Sequence, residues 1–178
     1  MSAGKTNGAR FLDSLGIAYQ IREYLVDPDD LSATSVAHKI GLPAEQVFKT
    51  LLTTDTSGNY RFAVIPGNQE VDFKKLARAA GLRRATMVAL KDVQPLTGYI
   101  RGGVTVFGAR KAYPVLADET IELFDTISVS AGLRGVQLLL APQDYLRATQ
   151  ATLADLCKDS ASAPQPSHPP SQEAAEWQ

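Results

Sequence analysis

The sequence is poor in the residues on which many catalytic centres are built. It holds one cysteine, Cys157, and two histidines, His38 and His168. One thiol cannot close an internal disulfide, so Cys157 reads as a packing residue or a stray thiol. Neither histidine belongs to a His/Cys/carboxylate cluster with metal-ligand spacing, so no metal and no cofactor are expected. No histidine stands as partner base to a serine, which argues against a triad hydrolase. There is neither a Gly-Lys-Ser/Thr phosphate loop nor a dinucleotide fingerprint. No excess of one charge exists either: 18 Lys and Arg stand against 19 Asp and Glu, a net of −1. The chain as a whole has no bulk attraction for DNA or other nucleic acid, although a local basic patch is enough to bind RNA. Long apolar runs are also missing. None approaches the length of a bilayer span, and Met1-Ser2-Ala3-Gly4-Lys5 leads into no apolar signal-peptide stretch. No membrane association and a cytoplasmic location are expected.

What is present is an ordinary globular composition, 44% hydrophobic and 21% charged over 178 residues. That length suggests one domain with a real core. The domain is expected over roughly residues 6–157. Residues 158–178 carry Pro164, Pro166, Pro169 and Pro170 among Ser, Ala, Gln and Glu. Such a segment buries too little apolar surface to fold alone and reads as a disordered tail. His168 and Trp177 are set aside as site residues for that reason.

Along the domain, Ala9 to Leu15 reads as a short helix ended by Gly16, and Ile17 to Val26 as a strand broken by Asp27-Pro28-Asp29-Asp30. Ser32 caps a helix with Ala33, Val36, Ala37 and Ile40 on its core stripe, closed by Gly41, and His38 falls on its outer face. Pro43 starts a turn into an apolar strand, and Thr56-Ser57-Gly58-Asn59 connects it to a returning strand over Tyr60 to Ile65. Asp72 caps a second helix on Phe73, Leu76, Ala77 and Ala80, ended by Gly81. The remainder is punctuated by glycine, with strands expected at Gly102 to Phe107, Tyr113 to Leu116, Thr126 to Val129 and Val136 to Leu140. A last helix follows Pro142. Short strands mixed irregularly with helices indicate an α+β fold with a mixed, mainly antiparallel sheet and flanking helices.

Four constellations carry chemistry. Lys49 is the lone charge in Val47-Phe48-Lys49-Thr50-Leu51-Leu52. Burying an ammonium is costly without a partner or a task. It either snorkels to the strand edge or serves as a fixed cation for an anion or an electron-rich ester. Strand periodicity points Thr50 to the opposite face. The run Thr97 to Gly108 contains Gly102 and Gly103, whose backbone can approach a ligand closely or simply form tight turns. Ser128-Val129-Ser130-Ala131-Gly132-Leu133-Arg134-Gly135 ends a strand in a small-residue turn, where Ser130 is either a donor at a pocket mouth or a plain loop serine. Lys74, Lys75 and Arg78, with Arg83 and Arg84 beyond them, form a one-sided basic helix face. That face suits a phosphate backbone or is merely solvated.

Taken in order, the segments Tyr24 to Pro28, Gly41 to Leu52, Val71 to Ala77, Thr97 to Val104 and Ser128 to Gly135 resemble the YbaK/EbsC family of aminoacyl-tRNA deacylases. The resemblance covers essentially residues 9–155. It implies one α+β domain around a partly barrel-like sheet, similar to the editing domain of bacterial prolyl-tRNA synthetases. It also implies a metal-independent deacylase that clears a wrong small amino acid, most often cysteine or alanine, from tRNA for proline. The residue matching Lys49 is the family's catalytic lysine. Those matching Tyr24, Gly102, Gly103 and Ser130 line its pocket, with Thr50 beside the lysine, and the Lys74, Lys75 and Arg78 face would hold the tRNA acceptor end. A synthetase is a further partner the resemblance allows. Val106 stands where family members often have proline, Gln137 where the cysteine-clearing branch tends to be acidic, and Ala131 where glycine is usual. The first two bear on amino acid specificity. The alternative is a module of the same fold that only binds a tRNA end or a protein.

Overall fold

The computed structural model describes residues 4–159 and Trp177. The expected tail, with His168, otherwise lies outside the described residues.

Helix α1 spans Asn7–Ser14, with Thr6 as its cap. Strand β1 is confined to Gln20–Glu23, shorter than the expected Ile17 to Val26. Helix α2 (Ala33–Ile40) begins where Ser32 Oγ accepts from the Ser35 amide, and Gly41 closes it in the left-handed conformation. Such a cap contributes about 1 kcal/mol. A 3-10 turn at Ala44–Gln46 feeds β2 (Phe48–Asp55), which hairpins into β3 (Tyr60–Pro66). Helix α3 (Phe73–Ala80) starts at Asp72, whose carboxylate accepts from the amides of Lys74 and Lys75. Then come β4 (Ala85–Met87), α4 (Leu90–Thr97), β5 (Val115–Asp118), a 3-10 stretch (Glu119–Leu123), β6 (Ile127–Ser130), β7 (Val136–Leu140), α5 (Pro142–Thr149) and β8 (Thr152–Ala154).

The strands form two sheets, ordered β1-β7-β6 and β4-β2-β3-β5-β8. The smaller is antiparallel throughout; in the larger, β5 pairs with β3 and β8 in parallel. Val47 bridges to Ser128, so the sheets meet beside the start of β2 and curl around a common core without closing. This is the α+β, partly barrel-like architecture expected. Phe48, Leu52, Phe62, Ile65, Phe107, Ile127, Leu138 and Tyr145 fill its interior.

Two expectations are corrected. Gly102 to Phe107 is not a strand. Gly102 has φ +85°, and Thr105 Oγ1 accepts from the Phe107 amide, so the chain winds instead of pleating. The segment is pinned where Tyr99 donates from its hydroxyl to the Phe107 carbonyl at 2.6 Å. That ring lies so close to Gly132 that a Cβ there would meet it at 2.8 Å, which makes glycine obligatory. The second correction is α4, hidden in the sequence by Pro95 inside it.

Candidate active site

Strand β4 pairs only with Thr53–Asp55 of β2. Further back, Leu52 accepts from the Val88 amide and Val47 bridges to Ser128. Between these contacts the edge of β2 opens onto a cavity of about 160 Å³. Its walls come from Val47 and β2 (Phe48 to Leu51), the start of α2 (Ser32, Ala33, Val36), the glycine segment (Arg101, Gly102, Val104) and the β6–β7 pair (Ser130, Gln137). A strand edge presents main-chain donors and acceptors to whatever lies beside it.

Lys49 lies on this wall, half-buried. Burial lowers its pKa, against the opposing pull of Glu70 and, less, Cys157. Its ammonium is thus a poorly hydrated cation, the form in which a charge acts most strongly on a substrate. Thr50 also lines the cavity, contrary to simple alternation, because the cavity opens at the strand edge and not on one face.

Ser130 and Gln137 are cross-strand partners, so their side chains share a face. Ser130 Oγ accepts from the Gly132 amide at 3.1 Å, which leaves its hydroxyl hydrogen available to a ligand. Gln137 is buried, and its Oε1 accepts from Ser128 Oγ at 2.9 Å. With Oε1 so engaged, the group Gln137 has left to offer a ligand is its Nε2 donor, and the residue lines the cavity. The described lining residues include two cations, Lys49 and Arg101, and no carboxylate. The start of α2 adds its partial positive charge. The cavity is therefore built for a ligand rich in acceptor oxygens.

Gly102 is on the wall in a left-handed conformation, and a Cβ there would press on Arg134 and Leu31 at 3.3–3.4 Å. Two other expected residues are placed elsewhere. The Gly103 amide donates to the Ile100 carbonyl at 2.9 Å, so it is not available to polarise a substrate carbonyl. Tyr24 packs with the small cluster of Val36, Ala37, Ile40 and Val47, its ring 5.9 Å from the Lys39 ammonium and off the cavity wall. On α3, Lys74 and Arg78 are exposed as expected, but Lys75 is not a free surface cation. It pairs with Asp155 and Asp159 at 2.8 Å each, and those carboxylates raise its pKa.

The sequence reading missed Trp177 outright. Its indole is buried, donates from Nε1 to the Val88 carbonyl at 3.1 Å, and forms part of the cavity wall. A second cavity, of about 460 Å³, is larger but has the wrong charge for a nucleotide ligand. Glu45, Asp118, Glu119, Asp155 and Asp159 all line it, and they repel phosphate.

Comparison with known proteins identifies the family. The family model for the aminoacyl-tRNA editing domain matches residues 27–148, a span that contains every cavity wall except Trp177. The chain belongs to the aminoacyl-tRNA editing domain family. Among its relatives is EbsC of Enterococcus faecalis, provisionally named a Cys-tRNA(Pro)/Cys-tRNA(Cys) deacylase. The two are 41% identical over 152 residues, which is 85% of this chain and 93% of EbsC. A multifunctional Ser/Thr-tRNA deacylase of Escherichia coli, ProXp-y, is 31% identical over 52% of this chain and 56% of its own length. A solved structure provisionally described as a trans-editing enzyme for prolyl tRNA synthetase superposes with a TM-score of 0.77. It is 21% identical, covers 89% of this chain and 100% of its own, and shares the fold.

Proposed function

We propose that the protein is a trans-editing aminoacyl-tRNA deacylase that removes a mischarged small amino acid, cysteine or alanine, from tRNA, with tRNA(Pro) as its tRNA. The observation that carries this reading is the desolvated Lys49 ammonium, set beside the donors of Ser130 and Gln137 in a small cavity. The cavity volume of about 160 Å³ has room for about five water-sized groups, the size of a small aminoacyl unit. The name of EbsC supports the same substrate class. A tRNA substrate also makes the cytoplasm its place of work. Among the described residues no helix is long and apolar enough to cross a membrane.

Catalysis rests on placement and electrostatics. Lys49 holds the terminal ribose-phosphate end of the ester and offsets negative charge as the carbonyl is attacked. With the Gly103 amide committed to Ile100, the donors left for the carbonyl oxygen are Ser130, Gln137 and the open edge of β2. A water oxygen, or the thiol of a cysteinyl substrate, bonds to the carbonyl carbon. The ester C–O bond then breaks and the ribose oxygen leaves with a proton. On α3, Lys74 and Arg78 contact the acceptor stem, and Lys75 instead ties the helix to the segment around Cys157.

The test is a panel of mischarged tRNAs. Release of one small amino acid, abolished by substituting Lys49, is the expected result. Tight binding of the tRNA end without release would make the chain a recognition module instead.

A further inference from the structure

Four of the seven exposed large apolar residues among those described gather on one rim of the Lys49 cavity. They are Leu25 (88% exposed), Leu133 (50%), Ile100 (43%) and Val26 (39%). The chain segments that carry them meet there. The Tyr24 amide donates to the Gly135 carbonyl, and Val26 Cγ2 lies 3.1 Å from where a Gly135 Cβ would be. Leu133 and Arg134 lie over Gly103, and Leu31 lies over Gly102. Among the apolar groups stand three cations: Arg101, Arg134 and Lys39. Arg134 Nε donates to the Arg101 carbonyl at 2.7 Å, which fixes one guanidinium beside the residue that carries the other. Lys39 Nζ donates to the Leu25 carbonyl at 2.9 Å. None of the three makes an ion pair within 4.0 Å among the described residues. Exposed apolar groups interleaved with uncompensated arginines fit a single nucleic-acid strand. The phosphates need the charge, and the base faces need apolar or guanidinium surfaces. The rim is also continuous with the cavity, since Arg101 and Gly102 belong to both.

We propose that this rim docks the unpaired nucleotides that precede the esterified 3′ ribose. Arg101 and Arg134 take their phosphates, and Leu25, Ile100 and Leu133 bear on their bases. The inference rests on the editing reading of the cavity and adds the path by which the strand reaches it. The turn of Asp27, Asp29 and Asp30 borders the patch, its carboxylates engaged in part by the amides of Asp29 and Ser32. Their negative charge turns the strand toward the Arg101–Arg134 side. The surface is separate from α3, whose exposed Lys74 and Arg78 suit the double-stranded stem.

The experiment measures binding of an uncharged single-stranded RNA ending in CCA, and of a blunt RNA duplex, across a salt series. Wild type is compared with Arg134→Gln, Arg134→Lys and Leu133→Asp, each first shown to melt like wild type. Arg134→Gln is expected to weaken single-strand binding roughly tenfold and to lower the magnitude of the salt slope by about 0.7, the loss of one phosphate contact on a single strand. Arg134→Lys should keep the slope, and Leu133→Asp should weaken binding to the strand more than to the duplex. Single-strand affinity indifferent to Arg134→Gln and Leu133→Asp would overturn the proposal, as would equal losses on strand and duplex. If wild type binds the strand in this way yet deacylates no tRNA, the editing reading falls and the dock remains. If it deacylates while the strand ignores the rim, the dock falls alone.

Discussion

Replacing Lys49 with methionine, a near-isostere without charge, separates catalytic from structural roles because the two make opposite predictions for stability. The ammonium is disfavoured where it sits: burial lowers its pKa, and the countervailing Glu70 does not fully compensate. A base whose folded pKa is depressed makes the charged folded state less stable relative to the unfolded chain at neutral pH. Removing that charge without leaving a void should therefore stabilise the fold on the order of 1 kcal/mol, about 2–4 °C in Tm for a chain of this size. Glu70 loses little, since its side chain is 60% exposed and still pairs with Lys158 at 2.8 Å. For activity, the loss is that of one preorganised donor at a water-poor reaction centre, about 2.7–4 kcal/mol of transition-state stabilisation, or 10²–10³ in kcat/KM. Single-turnover deacylation of mischarged tRNA, run beside a thermal melt, reads both quantities. Activity within tenfold of wild type would refute the role assigned to Lys49. Parallel loss of activity and Tm would show that the ammonium holds the fold together instead.

Other perturbations follow from the same geometry. The working form of Lys49 is charged and its pKa is depressed, so the alkaline limb of the deacylation profile, corrected for spontaneous ester hydrolysis, should fall below 10.5. Gln137→Glu, which sets a carboxylate on the same cavity wall, should move that limb upward; an unmoved limb would mean the two groups do not sense each other. Burial raises the pKa of the Tyr145 hydroxyl against a smaller lowering by its polar neighbour Thr50, and the hydroxyl has no partner in good hydrogen-bond geometry among the described residues. Tyr145→Phe should leave stability unchanged or raise it by up to about 1 kcal/mol, and a clear drop in Tm would contradict the geometry. Asp55 accepts from Asn59 and Ser57, and these bonds lower its pKa from 3.8 to about 2. Its stabilising contribution is complete above 3.8 and is lost as the pH falls toward 2. Asp55→Asn should flatten that part of an acid denaturation curve, and an unchanged curve would rule the contribution out.

The local signals in the sequence were legible wherever a few neighbouring residues determine the structure. Ser32 with Gly41, and Asp72 with Gly81, delimit α2 and α3 because caps and left-handed glycines act within one turn. Lys49 was legible because a single charge in an apolar strand always needs a reason. Readings that assume regular periodicity failed where tertiary contacts decide. The alternation of Val104 and Val106 mimics a strand, but Gly102 and the Thr105 hydroxyl turn the chain. Thr50 reaches the cavity because the space opens at a strand edge. The Gly103 amide and the Tyr24 ring are committed to neighbours that no spacing rule identifies. Lys75 resembles its exposed neighbours on α3 until carboxylates about 80 residues away claim it. Gln137 could be noticed in the sequence, but the donor it presents depends on Ser128 across the strand pair.

Trp177 is the only tryptophan in the chain, and its indole forms part of the wall of the Lys49 cavity. Its fluorescence therefore reports on a single place in the molecule, the place where an aminoacyl end would arrive. Ligand entry that disturbs the contact with Val88 would register as a shift in emission with no label attached, so occupancy of the cavity can be followed in real time.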